Sequence, residues 1–216
     1  MRKIKRFLIS ILDFIFPSDI YNRAHKFAKL NKEKFNLKID KIQDFAIPLA
    51  YKGEVKNCII AYKYRNKPHF SEYFSKIMAE KIANQFKGVK FTAVVSIPTI
   101  LEKKHDFDHA EYLAQKVATQ ICAPYIKNAL IKTRKTEKQH FLTYKQRHEN
   151  VKDLYIVNTK TQDKIRENVL LIDDIVTTGA TISSAANELL KESANKIYVA
   201  AIAYTSFKQR NRKTKI

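Results

Sequence analysis

Two carboxylates stand next to each other at Asp173 and Asp174, behind four apolar residues and ahead of a run of small and hydroxyl-bearing side chains. Residues 169–181 read VLLIDDIVTTGAT. Val169, Leu170, Leu171 and Ile172 are apolar at every position, as a strand buried on both faces requires. Ligands of open α/β sheets collect at the carboxyl ends of such strands. An adjacent acid pair there suits a vicinal diol such as ribose O2 and O3, whose hydroxyls it accepts. General acid/base pairs are more often separated in sequence. Thr177, Thr178, Gly179, Ala180 and Thr181 then lead into a predicted helix. Backbone N–H groups at a helix N-terminus, the helix dipole and threonine hydroxyls together favour a phosphate. Gly179 permits either a positive φ or a close backbone approach. The ordinary alternative is a strand, a turn and a capped helix with solvated acids. Three consecutive features, each with its own mechanism, weigh against that alternative.

The elements that must position this segment follow from periodicity. Residues 46–51 read as a strand, 54–64 and 69–86 as helices, 91–97 as a buried strand and 108–121 as a helix. Short strands over 126–131 and 154–157 flank a long polar loop. They are followed by a strand over 168–173, a helix over 181–192 and a last strand over 196–204. Strands alternating with helices predict an α/β fold, a mostly parallel sheet flanked by helices. Residues 1–44 are Lys-rich and read as a basic helical extension, with helices over 4–16, stopped at Pro17, and about 19–38, capped by Ser18 or Asp19. Residues 45–210 form the main domain.

Composition narrows the classes of function. The chain of 216 residues is 45% hydrophobic, enough for one core. The longest apolar run, residues 7–16, is interrupted by Ser10 and Asp13 and is too short to span a bilayer, so stable membrane insertion is not expected. Its basic start imitates a signal peptide. The sequence after it lacks a small-x-small cleavage site, and it reads as a docking helix. Cys58 and Cys122 show no CxxC spacing, which argues against a disulfide framework or zinc module and for a cytoplasmic setting. The net charge of +20 suits a polyanion. Arg supplies only 9 of the 41 cations, however, and a Lys-heavy excess spread over the chain weakens the case for a dedicated nucleic-acid surface.

Residues 169–181 resemble the signature of the type I phosphoribosyltransferases. That resemblance implies that Asp173 and Asp174 hold the ribose hydroxyls and residues 177–181 the 5'-phosphate, with phosphoribosyl pyrophosphate as ligand and Mg²⁺ bound with it. Further pieces resemble the ComF branch, the competence-associated members: ILDFIFP, YKGEVKNCIIAYKYRNK, VVSIPTI and TRKTEKQHFLTYKQRHENV, in the expected order. In the wider family the position of Ser96, Ile97, Pro98 and Thr99 binds pyrophosphate through backbone amides; a strand-ending proline is the plainer reading. The loop with Arg134, Lys135, Lys138 and Arg147 resembles the mobile cover of these enzymes, whose cations can neutralise a pyrophosphate leaving group. A solvated basic loop is the competing reading.

Two departures stand out. Residues 18–41 hold no cysteine where ComF proteins usually carry a zinc module, so no zinc is expected. Where the branch has Arg-Gly-Phe-Asn-Gln, this chain has His105, Asp106, Phe107, Asp108 and His109. His105 and His109 lie four apart and could share one helix face for a metal, against a helix-capping role for this polar run. No bound metal is assigned. Tyr62 and the aromatics up to Phe74, with Lys63, Arg65, Lys67 and His69, suit either base stacking or helix packing on the sheet. Three functions remain open. They are a ComF-type phosphoribosyltransferase linked to DNA uptake, a nucleobase salvage enzyme, and a non-catalytic module that senses phosphoribosyl pyrophosphate and binds single-stranded DNA. A homodimer is a candidate assembly.

Overall fold

The computed structural model describes residues 39–64, 69–98, 108–134, 146, 149–192 and 194–205. The helices expected over 4–16 and 19–38 lie outside them. The described elements run β1 (Ile42–Ala46), β2 (Leu49–Ala50), α1 (Gly53–Tyr64), α2 (His69–Gln85), β3 (Ala93–Ser96), α3 (His109–Gln120), β4 (Leu130–Lys132), β5 (Tyr155–Val157), β6 (Glu167–Val176), α4 (Ala180–Glu192) and β7 (Ala194–Tyr204).

β1, β7, β6 and β3 lie side by side in that order, all parallel, and β2 continues the β1 edge along β7. The strand expected over 46–51 is thus two pieces, and the first begins earlier, with Ile42 opposite Ile197. Pro48 stands in the break, where it has no N–H to give a ladder. β4 and β5 form a separate antiparallel ribbon with Leu130 opposite Val157.

β6 is the middle of the molecule, and its residues alternate between two cores. Leu170 and Ile172 join the cluster built by α1, α2 and α3, with Tyr62, Phe74, Met78 and Leu113. Val169 and Leu171 join the cluster on the other face, with Ile182 and Leu189 of α4 and Tyr155 of the ribbon. Ser184 Oγ of α4 donates to the Val151 carbonyl at 2.5 Å, fastening the approach to β5 onto that helix. The helices start where their sequences say they should. Asp108 caps α3, its Oδ1 accepting from the Ala110 and Glu111 amides at 3.0 Å each.

Each residue from Val169 to Ile172 is fully buried, so truncation there leaves a cavity with no solvent route to collapse. Leu171→Ala should lower the free energy of unfolding by about 2–5 kcal/mol. Urea denaturation followed by circular dichroism measures this. A loss below about 1 kcal/mol would mean that β6 is not the central strand.

Candidate functional site

The site is made where β6 outruns its neighbour. Pairing with β3 ends at Ser96 opposite Ile172, closed by the Ile97 amide donating to the Ile172 carbonyl at 3.0 Å. Pairing with β7 continues through Asp173, Ile175 and Val176 to Tyr204. The acids therefore lie within the strand instead of ending it, past the last residue that pairs with β3 and near the carboxyl end of the sheet, the edge where ligands of such folds collect.

Alternation has a second consequence. Asp173 and Asp174 are neighbours in sequence, yet their side chains leave on opposite faces. Asp174 turns toward α1, where Lys63 Nζ lies 2.5 Å from its Oδ2. Asp173 turns toward the ribbon, where its charge is felt by Tyr155. Asp173 Oδ1 accepts from the Asp174 amide at 2.7 Å. Burial, and next the Asp174 carboxylate, push the Asp173 carboxyl up to about 7, against the pull of Lys63 and the Asp174 N–H. A carboxyl that titrates near neutrality at a strand end is a functional-site signal.

The phosphate cradle begins directly after β6. Residues 177–179 bend, Gly179 has φ +79°, and α4 opens at Ala180 with no acid in its first turn. Thr178 Oγ1 accepts from the Ala180 amide at 3.3 Å, and the Ser183 amide closes the first turn on the Gly179 carbonyl at 2.8 Å. A Cβ at Gly179 would meet the Ile39 side chain at 2.1 Å. The tip of an isoleucine can shift, but the left-handed φ cannot be relieved that way, so the backbone conformation is what requires glycine.

The other sequence candidates fall differently. Ile97 is buried in the core with its amide used by Ile172, and Pro98 has no N–H. Neither offers an amide to pyrophosphate, and Thr99 lies outside the described residues. Ser96 Oγ instead meets Tyr125 Oη at 3.1 Å, a tyrosine that burial pushes up to about 12 and so keeps protonated. Arg134 is exposed, and its Nη2 donates to the Lys152 carbonyl at 3.0 Å across the base of the ribbon. Lys135, Lys138 and Arg147 lie outside the described residues, as do His105, Asp106 and Phe107.

At its described end the polar run caps a helix. Asp108 holds the α3 amides, while the His109 ring packs on Tyr62 at 5.1 Å between centroids and its N–H donates to the Lys63 carbonyl. Among the described residues no group of three or more His, Cys, Asp or Glu is placed to hold a metal. Tyr62, Phe70, Tyr73 and Phe74 are all buried in the core, and the base-stacking reading fails for these four. Lys63, which sequence reasoning assigned elsewhere, is the side chain that meets Asp174. Its place in the last turn of α1 was visible, but not its reach to a strand 111 residues further along the sequence.

A model of the phosphoribosyl transferase domain matches residues 75–215, and the chain belongs to that family. Its curated relatives include DNA utilization protein YhgH of Escherichia coli, 24% identical over 170 residues that cover 76% of this chain and 70% of that protein. Competence protein F of Haemophilus influenzae is 24% identical over 113 residues, 51% of this chain and 49% of that protein. The type I fold and the ComF-type branch expected from the motifs are borne out. Among solved structures, the allosteric regulatory enzyme of purine biosynthesis superposes with a TM-score of 0.42 at 19% identity, over 67% of this chain and 30% of that one. Adenine phosphoribosyltransferase gives 0.40 at 15%, over 66% and 82%.

The raised Asp173 carboxyl makes a stability prediction. Between its unfolded value near 3.8 and its folded value near 7, the folded chain binds more protons than the unfolded one. Stability therefore falls as pH rises through that window. Asp173→Asn removes this term while keeping an oxygen for the Asp174 amide. Without added ligand, the variant should be more stable than wild type by about 1–3 kcal/mol at pH 8, after discounting for partial exposure. Near pH 4 the two should be equal. Thermal melts at both pH values measure it, and a variant no more stable than wild type at pH 8 would contradict the burial of that charge.

Proposed function

We propose that the chain binds phosphoribosyl pyrophosphate through the end of β6 and the start of α4, as a ComF-type phosphoribosyltransferase acting on incoming DNA or its nucleotide products. The observation that carries this reading is the junction itself. A buried parallel strand delivers two acids of unlike surroundings, and three bent residues later an acid-free helix N-terminus follows. In this reading Asp173 and Asp174 accept the ribose hydroxyls. The amides and hydroxyls of Thr177, Thr178, Gly179, Ala180 and Thr181 hold the 5'-phosphate, aided by the dipole of α4.

The chemistry open to such a site is displacement at ribose C1 with release of pyrophosphate, through a transition state with oxocarbenium character. The chain's part is to fix the sugar and exclude alternative geometries; the acceptor brings its own nucleophile. Mg²⁺ supplies charge neutralisation on the pyrophosphate. Such an ion usually keeps several waters and would be held largely through the phosphates of its ligand. The link to DNA rests on the names of the relatives, a DNA utilization protein and a competence protein. The net charge of +20 is consistent with a polyanionic partner. The two cysteines, Cys58 and Cys122, show no CxxC spacing and no disulfide framework, which suits a reducing compartment, and we place the protein in the cytoplasm.

Calorimetry with phosphoribosyl pyrophosphate and Mg²⁺ tests the ligand. Wild type should bind, and Asp173→Asn/Asp174→Asn should lose roughly a hundredfold or more in affinity, the equivalent of two charge-assisted hydrogen bonds. Equal affinity would remove the assignment. Single-stranded DNA, as partner, should bind with an affinity whose logarithm falls linearly with log salt and that shifts when phosphoribosyl pyrophosphate is added. Binding that ignores the ligand and vanishes at physiological ionic strength would reduce it to general charge attraction.

A further inference from the structure

The two carboxylates on β6 do not have equivalent partners. Asp174 faces Lys63, with side-chain exposures of 11% and 26%, whereas Asp173 is held by the Asp174 amide. The position of Lys63 is itself fixed. Its neighbour Tyr62 is fully buried, and the Tyr62 hydroxyl donates to the His109 carbonyl at 2.7 Å. The Lys63 carbonyl accepts from the His109 imidazole. The last turn of α1 is thus pinned to the first turn of α3, and the ammonium has a defined reach to the end of β6. An exposed lysine–carboxylate pair would contribute little. This one is mostly withdrawn from water, so removing the cation leaves a charge without compensation.

We propose that Lys63 is the positioning residue of the acid pair: its ammonium fixes the Asp174 carboxylate at the strand end for the sugar hydroxyls and makes the two carboxylates unequal. The proposal rests on the phosphoribosyl reading above and adds to it a third side chain, supplied by a different element. Charged and titratable groups face the pair from three sides. Tyr62 and Lys63 come from α1, Asp108, His109 and Tyr112 from the start of α3, and Tyr155 from β5. Burial holds the His109 imidazole below its ordinary value and lifts both Tyr62 and Tyr155. A midpoint near neutrality in a pH profile therefore belongs to Asp173.

The test uses the full chain as wild type, Lys63→Met and Lys63→Arg, with phosphoribosyl pyrophosphate and Mg²⁺ titrated calorimetrically from about pH 5.5 to about pH 9. Lys63→Met should bind roughly tenfold more weakly near pH 7, with its binding midpoint moved to higher pH because Asp173 loses the nearby cation that favours its charged form. Lys63→Arg should keep most of the affinity and the wild-type midpoint. Wild-type affinity and midpoint in Lys63→Met overturn the proposal. Carbon NMR titration of the Asp173 carboxyl gives a readout without ligand: its midpoint should rise in Lys63→Met and stay in Lys63→Arg. An unmoved midpoint in Lys63→Met overturns the proposal even if phosphoribosyl pyrophosphate binds no variant, which separates its failure from that of the ligand assignment.

Discussion

Asp173 and Asp174 sit within a strand that is buried on both faces, and much of the structure around them answers the demand that two such carboxylates make. Moving a carboxylate out of water is costly unless it is paired or hydrogen-bonded. β6 meets the demand unequally. Asp174 takes a lysine from α1, while Asp173 takes its neighbour's amide and drifts toward protonation. β3 stops at Ser96, before β6 reaches the acids. The molecule keeps beside its core a charge arrangement that weakens the fold.

Much of this was legible in the sequence, because β6 and α4 state their roles locally. Four consecutive apolar residues bounded by turn signals read as a strand covered on both sides, and a Thr/Gly run before an amphipathic stretch reads as a helix start or a turn. The capping reading of Asp108 was available for the same reason, since an N-cap is a local event. What was not legible depends on pairing partners distant in sequence. The acids appeared to end their strand, because nothing near them says that β7 runs on to Tyr204 and carries β6 with it. Likewise Tyr62, Phe70 and Phe74 sit among cations, and only the tertiary packing reveals that the rings face the sheet.

Lys63 illustrates the same limit from the functional side. In sequence it is one lysine of 32 in a chain whose basic excess is spread throughout. Its partner lies on another element, and its placement depends on Tyr62 filling the core beneath α1 and on His109 receiving the end of that helix. The polar run that departs from the ComF pattern thereby gains a structural account at its described end: Asp108 starts α3 and His109 braces the lysine that meets the acid pair. A segment that reads as a lost anion-binding motif contributes to the site indirectly.

The most direct test of the ribose-phosphate assignment is where ribose 5-phosphate sits in a crystal of the complex. The phosphate should accept from the amides of residues 178–181, with the sugar O2 and O3 donating to Asp173 and Asp174. A phosphate bound elsewhere on the basic surface, with both carboxylates free of sugar, would contradict it.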